Sequence, residues 1–191
     1  MKRITGRTWA FVVYPESMPS NYEEIIQETG LPLAMSPLHD RDLDPTGESK
    51  KAHYHCIVYY ENATTLKNVK DNVCDRLNAT IPIKLESMRG MYRYHIHLDN
   101  PEKYQYDDRD RKFYNGFDID MANKLTKTEI NKLIKEIHTF INENDIYEYI
   151  DLLDILKDSD LNNLYEIAIS QTFLFKGMLD SKRNKLKGMK D

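Results

Sequence analysis

Cysteine is nearly missing from this chain. Of 191 residues only Cys56 and Cys74 carry a thiol. They stand far apart and in no C-x-x-C pattern, which speaks against a zinc ribbon or a disulfide framework and for a reducing compartment. Long apolar runs are missing too. After the basic start "MKRITGR" comes only "TWAFVVY", too short for the apolar part of a secretory signal and without a cleavage-type sequence behind it. No stretch approaches the roughly 20 apolar residues that cross a bilayer. The expectation is a soluble cytoplasmic protein with no membrane partner. There is no basic excess either: 27 Lys and Arg face 31 Asp and Glu, a net charge of −4. This withholds the overall charge signature of a nucleic-acid binder without excluding one, because binding depends on a local basic patch. What is present is enough for a packed core, 40% hydrophobic and 30% charged, ordinary values for a globular protein.

Along the chain the first part reads as mixed α and β. "TWAFVVY" (8–14) is aromatic and β-branched, a strand pattern. Ser20 or Asn21 can cap a short helix "YEEIIQET", whose acidic first turn suits the positive helix end, and Gly30 stops it. "LPLAMSPLH" (31–39) holds two prolines and reads as a short or edge strand. "DRDLDPTGESKK" (40–51) reads as a loop, and "AHYHCIVYY" (52–60) is the clearest strand. "TTLKNVKDNVCDRLN" (64–78) has helical spacing, "ATIPIKLES" (79–87) a broken strand, and "MRGMYRYHIHLDNPEKY" (88–104) a helix up to Pro101. From Leu125 the pattern is all-helical. Apolar residues at 130, 133, 137, 140 and 141 form one stripe, and Thr126 with Glu129 makes a capping box. The lysine-rich end is expected to fray. No internal repeat is visible. A boundary near Met121 follows, giving regions 1–121 and 122–191.

The chain has six histidines, and two of them, His53 and His55, stand at i, i+2 on a strand, so both rings share a face while Tyr54 points away. Two neutral imidazoles side by side can bind one divalent cation. The ordinary explanation of an isolated H-x-H is a pair of half-exposed histidines bonded to neighbours. "PLHDRD" upstream adds to it. If 33–39 pairs with 52–60, His39 reaches the same point and Asp42 can fold back from the loop, making a mixed N/O ligand set for Mg²⁺, Mn²⁺ or another divalent metal. The plain alternative is a solvated acidic loop. In "MYRYHIHLDN", Tyr94 and His97 share a helix face at i, i+3 and Tyr92 lies on the other side. A tyrosine can attack phosphorus, with a metal making the phosphate more electrophilic. Yet most of the 13 tyrosines must be packing or surface residues.

Taken in order and spacing, "FVVYPESMPSNYEE", "LPLAMSPLHDRD", "KKAHYHCIVYY", "MYRYHIH" and "NGFDID" resemble the replication initiator (Rep) proteins of rolling-circle plasmids of Gram-positive bacteria, members of the HUH endonuclease superfamily. The resemblance covers about residues 8 to 120; the rest is similar only in being helical. It implies an α+β fold: a central antiparallel sheet flanked by helices, ferredoxin-like or RRM-like, with H-Y-H on a middle strand, followed by a small all-α bundle. It implies metal ligands at His39, Asp42, His53 and His55, with Mn²⁺ or Mg²⁺ as cofactor. Tyr94 matches the nucleophile and Tyr92 the non-catalytic tyrosine before it. His97 and Tyr92 are expected to act behind the ligands or on DNA. The sequence departs from the family just after the tyrosine, where "HIHLDNPEKYQYDD" replaces "LTHES" and a basic stretch.

The resemblance further implies nicking at a plasmid origin through a 5′-phosphotyrosine, leaving a 3′-OH primer. Partners would be double-stranded origin DNA, a single-stranded hairpin loop, host replication proteins and further copies in a homo-oligomer, with a ring as one form. Region 1–121 would bind and nick, and 122–191 would oligomerise. Candidate phosphate contacts are Lys50, Lys51, Arg89, Arg93, Lys103, Arg109, Arg111 and Lys112. "DDRDRK" reads equally well as a loop of local ion pairs. Three other readings stay open: a mobilisation relaxase or transposase-type enzyme, a hydrolytic metallophosphodiesterase using metal-bound water, and a DNA-binding regulator.

Overall fold

The computed structural model describes residues 4–159 and 161–188. The chain splits into two compact units, one reaching Lys124 and one starting at Leu125. In the first, strands β1 (Thr5–Val13), β2 (Leu33–Met35), β3 (Tyr54–Thr65), β4 (Ile83–Lys84) and β5 (Lys112–Tyr114) form one sheet in the order β4-β1-β3-β2-β5. Every neighbouring pair is antiparallel. The H-Y-H segment thus leads into the middle strand, flanked by the long β1 and the short β2.

Alternation sorts the two faces. Trp9, Phe11, Val13, Leu33, Met35, Cys56 and Val58 point to one side. There they meet α1 (Tyr22–Thr29) and α2 (Leu66–Val69), which continues through a π turn, Lys70–Cys74, and a 3-10 turn, Asp75–Leu77. Tyr54 packs on this side. Ala34 and Ile57 point the other way, under α3 (Met88–Tyr94) and α4 (Ile119–Asn123), with Tyr92, Phe117 and Ala122 closing that layer. His53 and His55 share the Ile57 face by strand periodicity, so the sheet aims both imidazoles toward the α3 side. The unit is an α+β sandwich.

Several local expectations change. β2 is short, as expected, but interior rather than at an edge, because Pro32 and Pro37 lie outside its three paired residues and cost no ladder bond. The 79–87 stretch pairs only at Ile83 and Lys84. Helix α3 ends at Tyr94, well before Pro101, so His97 is not on its face; it sits in the following turn with φ 57°. β5 and α4 are absent from the sequence reading, and the boundary expected near Met121 falls inside α4.

The second unit is α5 (Lys127–Glu143), α6 (Tyr149–Asp158), α7 (Asn162–Ser170) and α8 (Thr172–Lys187). The capping box forms: Thr126 accepts from the Glu129 amide and the Glu129 carboxylate accepts from the Thr126 amide. The stripe on α5 buries Ile137 and Ile141 against Leu152, Leu156, Phe175 and Leu179, with Ile130, Leu133 and Phe140 packed at its margin. Phe173 is 95% exposed. The fraying expected at the lysine-rich end does not interrupt α8 up to Lys187, and residues 189–191 lie outside the described ones. Among the described residues no helix is long and apolar enough to cross a membrane.

Candidate metal and tyrosine site

The site begins with a backbone bridge. His39 and His53 each donate an amide to the other's carbonyl, at 2.9 and 3.1 Å. Between them the chain closes a small hairpin. The Lys50 amide donates to the Asp42 carbonyl at 2.8 Å, and the Asp44 carboxylate accepts from the amides of Thr46 and Glu48. Gly47 supplies the left-handed turn at φ 87°. The polar loop is therefore a folded device that turns Asp42 back onto the sheet face.

Asp42 Oδ2 then stands 3.3 Å from His39 Nδ1, 3.8 Å from His53 Nε2 and 3.7 Å from His97 Nε2. His53 Nε2 and His55 Nε2 are 3.2 Å apart. One ligand atom from each of His39, Asp42, His53 and His55 lies within 4.8 Å of the others. The outer nitrogens are spoken for: His39 Nε2 donates to the His95 carbonyl, His53 Nδ1 to the Lys51 carbonyl and His97 Nδ1 to the Tyr104 carbonyl, all at 2.8 Å. These bonds place the proton on the far side of each ring and turn a lone pair inward. Burial lowers the pKa of His39 and pushes that of His55 down to about 3, so both stay neutral near pH 7. For Asp42, burial alone would raise the carboxyl, and the Tyr106 hydrogen bond is foremost among the contacts that bring it below the usual carboxylate range instead. The His97 Nε2 atom is buried with no hydrogen-bond partner. Acceptors thus face acceptors across a few ångströms, an arrangement costly by itself and satisfied by a cation. The residues fit a divalent metal.

Tyr94, at the end of α3, lays its ring against the same cluster. Its centroid is 5.2 Å from that of His55, 5.0 Å from His97 and 6.4 Å from His39. Its hydroxyl accepts a hydrogen bond from Lys103 Nζ at 3.1 Å. Tyr92 is buried instead, stacked with Phe117 and covered by Arg111. Tyr92 and His97 are both buried away from the surface a DNA strand could reach, and His97 stands between Asp42, Tyr94 and Tyr106.

The expected phosphate contacts scatter. Arg111 is a correction: it is buried, donates to the Tyr92 carbonyl at 2.8 Å and pairs with Asp108, so it is a packing residue. Arg93 makes two bonds to Asp99, Arg109 pairs with Asp107, Lys112 with Glu23, and Lys51 with Glu16. Arg89 is half-buried on α3, and Lys50 is exposed on the Asp42 hairpin.

Two contributors escaped the sequence reading. Tyr106 donates to Asp42 Oδ1 at 3.0 Å, accepts from the Arg41 amide and stacks on His39 with centroids 4.2 Å apart. Ser36 Oγ accepts from the His55 amide at 2.9 Å. Neither stands in a motif; the hint for Tyr106 is only that "KYQYDD" puts tyrosines beside acidic residues.

Comparison with known proteins decides the family. Residues 1–120 match the plasmid replication protein, origin binding domain, and residues 127–184 match the C-terminal part of replication protein RepB. The chain belongs to the plasmid replication protein family. Members of that family similar to it include replication protein RepB of Lactiplantibacillus plantarum, 40% identical over 149 residues that cover 78% of this chain and 67% of the relative. A replication protein of Staphylococcus aureus is 42% identical over 153 residues, covering 80% and 76%. RepB of Streptococcus agalactiae is 31% identical over 196 residues, covering 94% and 93%. The chain is thus a plasmid replication initiator of the Gram-positive Rep type with an origin-binding domain. The two family matches fall on either side of the division between Lys124 and Leu125.

Proposed function

We propose that this initiator is an HUH-type endonuclease that nicks and rejoins one strand of the plasmid origin, with Tyr94 as nucleophile and His39, Asp42, His53 and His55 as metal ligands. The observation that carries the reading is the Tyr94 ring packed against His55 and His39 while their lone pairs converge with Asp42. Three imidazoles and one carboxylate favour Mn²⁺ over the more oxygen-seeking Mg²⁺. When bound, the metal supplies positive charge to a non-bridging oxygen of the scissile phosphate. The chain's own part is positional. Tyr94 Oη forms a bond to phosphorus as the bond from phosphorus to O3′ breaks, giving a 5′-phosphotyrosyl link and a 3′-OH that a host polymerase can extend. The link keeps the phosphodiester energy, so the same geometry run backward rejoins strands without ATP. The phosphate must be reached on a splayed single strand, which a hairpin loop at the origin provides. Double-stranded origin DNA would be held by exposed cations such as Lys50, with a steep dependence on salt.

The helical unit, with exposed Phe173 and Ile169, is the proposed oligomerisation region, ring formation included, and the cytoplasm is the proposed compartment.

The test is adduct formation. The full chain is incubated with Mn²⁺ and single-stranded oligonucleotides tiling the origin, then run on a denaturing gel. A covalent protein–DNA band is expected from the wild type and from Tyr92→Phe, and none from Tyr94→Phe. Cleavage without an adduct would point to a hydrolase using metal-bound water. Binding without cleavage would point to a regulator. An adduct formed only on transfer-origin DNA would point to a relaxase or transposase.

A further inference from the structure

The segment after Tyr94 is folded to a purpose that the metal cluster does not explain. Past the end of α3 the chain doubles back through successive turns: the amide of His97 donates to Tyr94, that of Asn100 to His97 and that of Lys103 to Asn100, at 3.1, 2.8 and 3.0 Å. Gln105 clamps these turns from one side, its amide nitrogen lying 3.2, 3.0 and 3.0 Å from the carbonyls of His97, Asn100 and Lys103. Arg93 pins them from the other through its paired bonds to Asp99. His97 takes the left-handed conformation, φ 57°, that the first turn requires, a local strain for a residue with a Cβ.

The outcome of this folding is one contact. Lys103 is brought back over the tyrosine, with Nζ 3.1 Å from Tyr94 Oη and 4.6 Å from the ring centroid. Two of the neighbouring cations are committed elsewhere, Arg93 to Asp99 and Arg111 to Asp108. Lys103 pairs with no carboxylate among the described residues. It also borders a cleft of about 360 Å³ that Arg41, Asp42, Leu43, Lys50, Glu102 and Tyr104 line with it. Of the cluster around Tyr94, Asp42 reaches into that cleft, and Lys103 lines it as well.

We infer that Lys103 is a catalytic residue, an ammonium that stabilises negative charge on the Tyr94 oxygen as it attacks phosphorus and again as it leaves. The inference rests on the nicking reading above. In the forward direction the Oη–P bond forms and the P–O3′ bond breaks; the phenol proton passes to water and the 3′ oxygen takes one up, so the phenol hydrogen is replaced by phosphorus and a 3′-OH appears. In the reverse direction the 3′ oxygen attacks, the Oη–P bond breaks, and the phenol regains its proton from water. Lys103 keeps its three N–H bonds throughout. Its hydrogen bond to Oη strengthens as charge gathers there, which is the form of stabilisation that lowers a barrier rather than merely tightening binding.

The experiment compares wild type, Lys103→Met and Lys103→Arg, as full chains with Mn²⁺ and the origin oligonucleotide that the wild type cleaves. Adduct formation and rejoining are followed as single-turnover rates at saturating DNA, and the dissociation constant is measured by fluorescence anisotropy without metal. Lys103→Met should slow both directions about 100-fold, with the dissociation constant changed by less than about three-fold and Lys103→Arg recovering most of the rate. A weaker dissociation constant with an unchanged saturated rate would make Lys103 an ordinary phosphate contact and overturn the inference. So would a loss in one direction only, since that would be a shift of the equilibrium, whereas a group that stabilises the transition state slows both directions when it is lost. If the wild type forms no adduct, or Tyr94→Phe keeps it, the nicking reading itself fails and takes the inference with it.

Discussion

Both units bury an apolar core, and they differ in the polar groups buried beside it. Among the described residues every buried polar or charged side chain lies in the first unit: Ser36, His39, Asp42, His53, His95, His97 and Arg111. The buried side chains of the second unit are apolar without exception among the described residues. A helical bundle gains stability from each such burial. A sheet face holding four interior imidazoles and a carboxylate gives stability up, because each must be desolvated and only some find a partner. The contrast separates a part shaped by packing from a part shaped by chemistry, and it can be tested on each side.

The largest effect is expected in the helical unit. Phe175 is fully buried among Leu152, Leu156 and Leu179. Phe175→Ala should cost about 3–5 kcal/mol, the transfer term plus the cavity left behind, read as a shift of the urea midpoint at unchanged slope. A loss under about 1 kcal/mol would mean that this stripe is not what holds the unit together. A smaller effect of another kind is expected in the first unit. Tyr106→Phe removes the hydroxyl that binds Asp42 Oδ1 while keeping the ring stacked on His39. Mn²⁺ binding followed by calorimetry should weaken about 10–100-fold, the usual consequence of losing a partner behind a ligand, while metal-free stability falls by about 1 kcal/mol for the bonds lost at Asp42 and the Arg41 amide. Unaltered affinity would sink the claim that Tyr106 orients the carboxylate.

The same contrast explains what could be read in advance. β1, β3, α1 and α5 were legible because each announces its own period or cap over a short window: alternation in "TWAFVVY", the stripe on α5, Gly30, and Thr126 with Glu129. The gathering of His39, Asp42, His53 and His55 was legible because H-x-H on a strand fixes two rings, and a paired segment ending in "LHDRD" brings in the rest. β5 and α4 were missed because they are only three and five residues long and are stabilised by sheet and core contacts rather than by local pattern. α3 was read too long because nothing between Tyr94 and Pro101 breaks a helix by composition; the turn is set by Gln105 and Arg93 reaching across it. Tyr106 was out of reach for the same reason, since its partner Asp42 lies 64 positions away. Arg111 looked like a surface cation, and only the fold shows it lying over Tyr92.

The smallest expected effect is a gain, and it bears most directly on the cost of the polar face. His95 is fully buried, and neither ring nitrogen has a hydrogen-bond partner. Burial, and then the neighbouring Arg111, holds its pKa well below the ordinary value, so the ring is neutral in the folded chain. Its carbonyl serves the site by accepting from His39 Nε2, but that bond belongs to the backbone and survives substitution. His95→Leu should therefore keep the His39 orientation, remove two unpaired polar atoms and gain about 1 kcal/mol, the low end of what an unsatisfied buried group costs because leucine fills the space differently. The gain should also depend on pH. With the folded pKa depressed, the unfolded chain binds a proton at His95 as the pH falls below about 6.5 while the folded chain does not, so the wild type loses stability there and the leucine variant is spared that loss. Denaturant melts of both proteins at pH 7.5 and pH 5.5 measure the difference, which should widen at the lower pH. A variant less stable than wild type at both values would show that His95 contributes to the fold in a way its unpaired nitrogens conceal.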